Sequence, residues 1–181
     1  MTRVRFAGFG GQGVVLSGFI LGRAACLHAG KNSAMTQNYG PESRGGACAA
    51  DVVVEETEIA MPVFDQPDIL VLLSQEAANK NAVWIAGSKM VLIDEDLVHL
   101  EGEDPRVQKA PFTRMATALG RRIVANIVML GTLTARSRLV PPEAMEEAIR
   151  ATVPPKTVEL NLKAFRAGFA VPETPAPEVT A

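Results

Sequence analysis

The chain opens on a short apolar run, Arg3 to Gly8, that passes without a break into G-F-G-G-Q-G, residues 8–13. From Val14 to Ala29 apolar residues follow at helical spacing, and Gly30 supplies a stop. Gly8, Gly10 and Gly13 therefore stand in G-x-G-x-x-G order between a strand and a helix, the context that gives this spacing its meaning. Glycines there allow a tight turn and close approach of the backbone. The helix N-terminus beyond them offers free N–H groups and a partial positive charge to a phosphate. The plainer reading is a glycine turn that only packs strand against helix. Either way, a strand–loop–helix start commits the N-terminal part of the chain to an α/β arrangement.

The rest of the sequence continues that alternation. A second strand is expected near Lys31 to Thr36, loop chemistry over Asn38 to Gly46, and a strand over Ala47 to Glu55 that can pair antiparallel. D-I-L-V-L-L-S (68–74) and K-M-V-L-I-D (89–94) are near-continuous apolar runs, as in strands buried on both faces. Helical spacing covers Gln75 to Ala86, Pro111 to Leu119, Arg122 to Thr134, Pro142 to Thr152 and Val158 to Gly168. The expected fold class is α/β: a Rossmann-like open, mainly parallel sheet with helices on both faces, in a single domain over residues 1–170. A length of 181 residues with 48% hydrophobic side chains is enough for such a core. The last stretch, 171–181, holds three prolines and no core pattern, and reads as a mobile tail or an arm on a partner.

The choice of ligand is narrower than the loop alone implies. A dinucleotide site needs an Asp or Glu about 20 residues on to hold the ribose. Residues 1–41 contain no acid, only Arg3, Arg5, Arg23 and Lys31 as charged side chains. That pattern suits NADP or coenzyme A better than NAD, although any one of these basic residues is more simply a surface charge. The loop T-Q-N-Y-G-P-E-S-R-G-G-A (36–47) gathers Tyr39, Ser43, Arg44 and Gly45. Ser43 and Arg44 suit a phosphate or carboxylate and Tyr39 suits a flat ring; a tight connection that only satisfies its own backbone is an equal alternative. His28 and His99 read as surface or packing residues, and Asp94, Glu95 and Asp96 as strand-end and helix-cap residues.

Other classes are excluded by what is missing. There is no G-x-S-x-G, Walker lysine, H-E-x-x-H or C-x-x-C. Two distant cysteines, Cys26 and Cys48, are too few for a thiolate-held cluster. A net charge of −2 provides no global field for nucleic acid. The N-terminus resembles neither a signal peptide nor a membrane span, so the expected compartment is the cytoplasm.

Two loops at this separation carry a family resemblance. G-F-G-G-Q-G-V-V-L-S-G (8–18) and T-Q-N-Y-G-P-E-S-R-G-G (36–46) resemble the gamma subunit of 2-oxoacid:ferredoxin oxidoreductases, most nearly the 2-oxoglutarate branch. P-D-I-L-V-L-L-S-Q-E-A (67–77) and A-N-I-V-M-L-G-T-L (125–133) extend the likeness, so that it spans roughly residues 3–168. The resemblance implies conversion of a 2-oxoacid and coenzyme A to an acyl-CoA, carbon dioxide and two electrons. Thiamine diphosphate, Mg2+ and iron–sulfur clusters would belong to partners: thiamine-binding alpha and beta subunits and an iron–sulfur subunit that passes electrons to an acceptor such as ferredoxin. By the same resemblance Gly10, Gly11, Gln12 and Gly13 would face the coenzyme A phosphates, and Gly8 would belong to the same cofactor-binding loop. Tyr39, Ser43, Arg44 and Gly45 would lie near coenzyme A or the active-site entrance. No catalytic residue and no metal ligand is expected on this chain. An NADP-binding reductase module and a purely structural subunit are the competing readings.

Overall fold

A computed structural model describes residues 1–40 and 46–173. Among the described residues six strands form one open sheet: β1 (Thr2–Phe9), β2 (Asn32–Tyr39), β3 (Ala47–Glu55), β4 (Ile69–Leu72), β5 (Met90–Asp94) and β6 (Val107–Ala110). The spatial order is β2-β3-β1-β4-β5-β6. β1, β4, β5 and β6 pair in parallel, whereas β3 pairs antiparallel with both β1 and β2. β3 alone therefore runs against the other strands. The single α/β domain with a mainly parallel sheet matches the sequence expectation, including the antiparallel option for Ala47–Glu55.

Among the described residues seven α-helices cover the sheet: α1 (Val14–Arg23), α2 (Gln75–Lys80), α3 (Ala82–Ile85), α4 (Phe112–Ala118), α5 (Ala125–Ser137), α6 (Pro142–Arg150) and α7 (Val158–Phe169). A π-helical turn, Ala24–His28, extends α1 to the left-handed Gly30. Period-two alternation sorts the strand side chains between two cores. Val4, Phe6, Val52, Val71 and Leu92 pack with α1, α5 and α7, and Ala7, Leu70, Leu72, Val91 and Ile93 pack with α2. Helices thus lie on both faces.

Three of the four basic residues of the first unit, Arg3, Arg5 and Lys31, are matched by acids from later in the chain. Arg3 donates through its backbone N–H and its guanidinium to Asp68, tying β1 to the start of β4. Arg5 forms a two-pronged pair with Asp51 of β3 and lies over the Trp84 ring, 4.0 Å from its centroid. Lys31 pairs with Glu56. These charges staple the sheet and are not free for a ligand.

Candidate functional site

Because β2 and β3 lie on one side of β1 and β4 on the other, the chain turns opposite ways after β1 and after β4. This is the switch point at which open α/β sheets form a crevice beyond their strand ends. A cleft of about 380 Å³ opens there, lined by Gly10, Gly11, Gln12, Leu73, Arg122 and Asn126, among others.

The glycine loop is held by its own side chain. The Gln12 amide oxygen accepts the Phe9 N–H at 2.7 Å, and its amide nitrogen donates to the Leu73 carbonyl at 2.7 Å. The Gln12 side chain therefore clasps the loop to the end of β4, while its backbone borders the cleft. Gly13, at φ +74, has no room for a side chain, because a Cβ there would stand 2.5 Å from Asn126 Nδ2. Gly11, at φ +95, faces open space. Among the described residues the N–H groups of Gly11, Gly13 and Val14 have no acceptor; the first hydrogen bond of α1 is from Ser17 N–H to the Gly13 carbonyl at 2.8 Å.

A second helix start converges on the same space. The 3-10 turn Arg122–Val124 runs without a break into α5, its exposed Arg122 opening this helical stretch and Ala125 N–H donating to the Arg122 carbonyl; Arg122, Ala125 and Asn126 line the cleft. Two helix N-termini and one guanidinium make the cleft an anion-binding environment, each dipole worth about 0.3–1 kcal/mol to a charge at its end. The nearby carboxylate of Asp94 is already engaged. It accepts the Thr113 N–H at 3.1 Å and the Thr113 hydroxyl at 2.6 Å, capping α4 as the sequence suggested. Burial pushes the Asp94 pKa up, partly opposed by these bonds and by the Asp96 N–H.

The structure joins the two loops singled out in the sequence. Gly10 N–H donates to the Gly46 carbonyl at 2.9 Å, and Gly40 N–H to the Ala47 carbonyl at 2.7 Å. Tyr39 is 60% exposed, with its hydroxyl on Gln37, and borders a different cleft of about 290 Å³ together with Gly8, Arg5, Lys80 and Trp84. The glycine loop therefore separates Gly8 and Tyr39 from Gly10, Gly11 and Gln12. Ser43, Arg44 and Gly45 lie outside the described residues. His28 and His99 are exposed, and burial pushes the Cys48 thiol pKa up. Among the described residues no cluster of His, Cys, Asp or Glu could hold a metal, and no helix is long and apolar enough to cross a membrane. Arg122 and Asn126 escaped the sequence reading. The only local signal was a basic pair, Arg121 and Arg122, ahead of a helical stretch.

Comparison with known proteins gives concordant results. Residues 3–171 match the pyruvate ferredoxin/flavodoxin oxidoreductase family. The 2-oxoglutarate synthase subunit KorC of Methanocaldococcus jannaschii is 48% identical over 172 residues, which is 93% of this chain and 92% of that protein. The gamma subunit of a keto/oxoacid ferredoxin oxidoreductase from Geobacter sulfurreducens superposes with a TM-score of 0.80 at 38% identity, covering 93% of this chain and 96% of that one. A 2-oxoglutarate:ferredoxin oxidoreductase from Magnetococcus marinus, solved with 2-oxoglutarate, coenzyme A and succinyl-CoA, shares the fold at a TM-score of 0.80 and 23% identity; the match covers 93% of this chain and 30% of that chain.

Proposed function

From the premise that this chain belongs to the pyruvate ferredoxin/flavodoxin oxidoreductase family, as a gamma-type subunit, we propose that it contributes the phosphate-binding part of the coenzyme A site in a complex that oxidatively decarboxylates 2-oxoglutarate. The observation that carries this reading is the convergence of the α1 and α5 N-termini and Arg122 on a cleft bordered by a clasped glycine loop. The N–H groups of Gly11, Gly13 and Val14 would donate to phosphate oxygens, and Arg122 would neutralise charge at the rim. Gly13 lets Asn126 approach the loop, and Gln12 keeps the loop from relaxing into the cleft. Thiamine diphosphate and iron–sulfur clusters on partner subunits would supply decarboxylation and electron transfer. The choice of 2-oxoglutarate rests on the KorC relative.

A free-standing NADP module fits less well. In a dinucleotide-binding unit β2 lies beside β1 and its end presents the ribose contact. Here β3 stands between them. The test is turnover. The chain alone, given 2-oxoglutarate, coenzyme A, thiamine diphosphate, Mg2+ and a dye acceptor, should not exceed the blank, whereas the co-expressed complex should reduce the dye in a coenzyme A-dependent way. Turnover by the isolated chain would refute the subunit reading.

A further inference from the structure

The cleft beside the glycine loop offers N–H groups and a guanidinium to an anion, yet one polar atom on its wall is of the opposite kind. Asn126 lines the cleft and is only 3% exposed. Its side chain packs against Gly13, where a Cβ would stand 2.5 Å from Nδ2 and 2.6 Å from Cγ. Nδ2 faces the Gly13 carbonyl at 3.5 Å. Oδ1 receives no hydrogen bond among the described residues and is not sealed from solvent, so it opens on the cleft. The other side-chain amide and carboxylate oxygens along this wall are already in use. Gln12 Oε1 accepts the Phe9 N–H, and the Asp94 oxygens accept the Asp96 N–H and the Thr113 N–H and hydroxyl. An amide oxygen so nearly buried and left unpaired is costly until a ligand donor reaches it.

We propose that Asn126 is a specificity-determining residue of this cleft, accepting a hydrogen bond from a hydroxyl or N–H that the ligand carries close to its phosphate. The inference rests on the coenzyme A reading and refines it. An ionised phosphate presents only acceptors, so a bare anion seated beside the glycine loop sets its oxygens against Oδ1. A phosphate ester with a donor a few atoms away satisfies both partners. Its phosphate oxygens take the N–H groups of Gly11, Gly13 and Val14, and its donor goes to Asn126. A site built around such a polar group rejects the ligand that lacks the matching donor, because the group is then left unpaired. Coenzyme A carries a donor on each side of its pyrophosphate: a ribose hydroxyl on the nucleotide half and the pantoyl hydroxyl on the other. Packing against Gly13 holds the amide in place, so Oδ1 is oriented before the ligand arrives.

The experiment reads selectivity in the intact complex. Inorganic pyrophosphate, phosphoadenosine diphosphate and phosphopantetheine are each titrated as competitors of coenzyme A. Wild type is compared with Asn126→Leu, which keeps the bulk against Gly13 and removes the acceptor. The half of coenzyme A that carries the donor should lose about three- to tenfold in affinity, the worth of one hydrogen bond, while pyrophosphate holds or gains. Which half moves identifies the hydroxyl. On the wild type, which needs no variant to fold, deleting that hydroxyl from the ligand should cost the same factor. Parallel weakening of all three competitors in Asn126→Leu would make Asn126 a spacer for the loop and overturn the proposal. Unchanged affinities would overturn it too, as would a wild type indifferent to the loss of either hydroxyl. Each of these results leaves the coenzyme A reading standing, because the competitors still displace coenzyme A. If none of the three competes with coenzyme A in the wild type, that reading falls and the inference falls with it.

Discussion

Asp68 shows how much a single residue can decide. It is buried at the start of β4, and burial alone would raise its pKa. Hydrogen bonds from Arg3 and Lys89 outweigh that cost and hold the carboxyl far below the usual carboxylate range. A lowered folded-state pKa contributes stability above the unfolded value, about 3.9 for Asp, and that stability is lost as pH falls through the folded value. Asp68→Asn should therefore lower the unfolding free energy at pH 7 by roughly 1.5–3 kcal/mol, the range for hydrogen bonds to a charged group. Most of this comes from Arg3, since the Lys89 side chain is largely exposed and screened. The difference from wild type should shrink as pH falls below about 4. Denaturant titrations at several pH values measure it; a gap that persists unchanged into strong acid would mean that shape, not charge, is what Asp68 contributes.

At the level of elements, legibility in sequence followed locality. Ala47–Glu55 was readable to the residue because its apolar run is bounded by turn chemistry on both sides. β2 runs three residues past the expected Thr36, because pairing with β3 extends it to Tyr39 into what reads as a loop. β6 was missed, since V-Q-K-A is too short to show a period. The expected helix from Gln75 to Ala86 is broken at Asn81, whose amide donates to the Ala77 carbonyl, a choice invisible to apolar spacing. The glycine loop was legible for the same local reason, whereas its neighbour Asn126 lies 113 residues from Gly13 in sequence and no spacing rule connects them. The tightest helix contact was equally hidden. A Cβ on Gly131 of α5 would stand 2.0 Å from the Phe165 carbonyl of α7, and one on Gly168 would stand 1.9 Å from the Val128 carbonyl. Neither obstacle is a side chain that can turn away. Gly131→Ala and Gly168→Ala should each cost at least about 1–3 kcal/mol, as overpacked cores do. The double variant should cost less than their sum, because one separation of α5 from α7 relieves both. Unfolding midpoints in urea test this, and an unchanged midpoint for Gly131→Ala would contradict the packing described.

Considered whole, the proposed role makes the molecule a binding surface for a reaction whose chemistry partner subunits would supply. The sheet sets the crevice, and two helices aim their N-termini into it. The central claim is that the glycine loop holds the phosphates of coenzyme A, and the most direct test is a substitution at Gly11, where a side chain meets open space. At φ +95 any L-residue there is strained, so Gly11→Asn serves as the control for strain and bulk and Gly11→Asp adds negative charge. In the intact complex, steady-state titrations of coenzyme A and of 2-oxoglutarate are compared across wild type and both variants. Losing one or two charge-assisted hydrogen bonds costs about 1.5–3 kcal/mol each. The expected result is an apparent KM for coenzyme A raised roughly tenfold or more in Gly11→Asp, where a tenfold loss of affinity is about 1.4 kcal/mol. Gly11→Asn should show a smaller rise, and the KM for 2-oxoglutarate should not move. A Gly11→Asp complex that assembles normally and keeps the wild-type dependence on coenzyme A would contradict the claim and leave the loop as a packing turn.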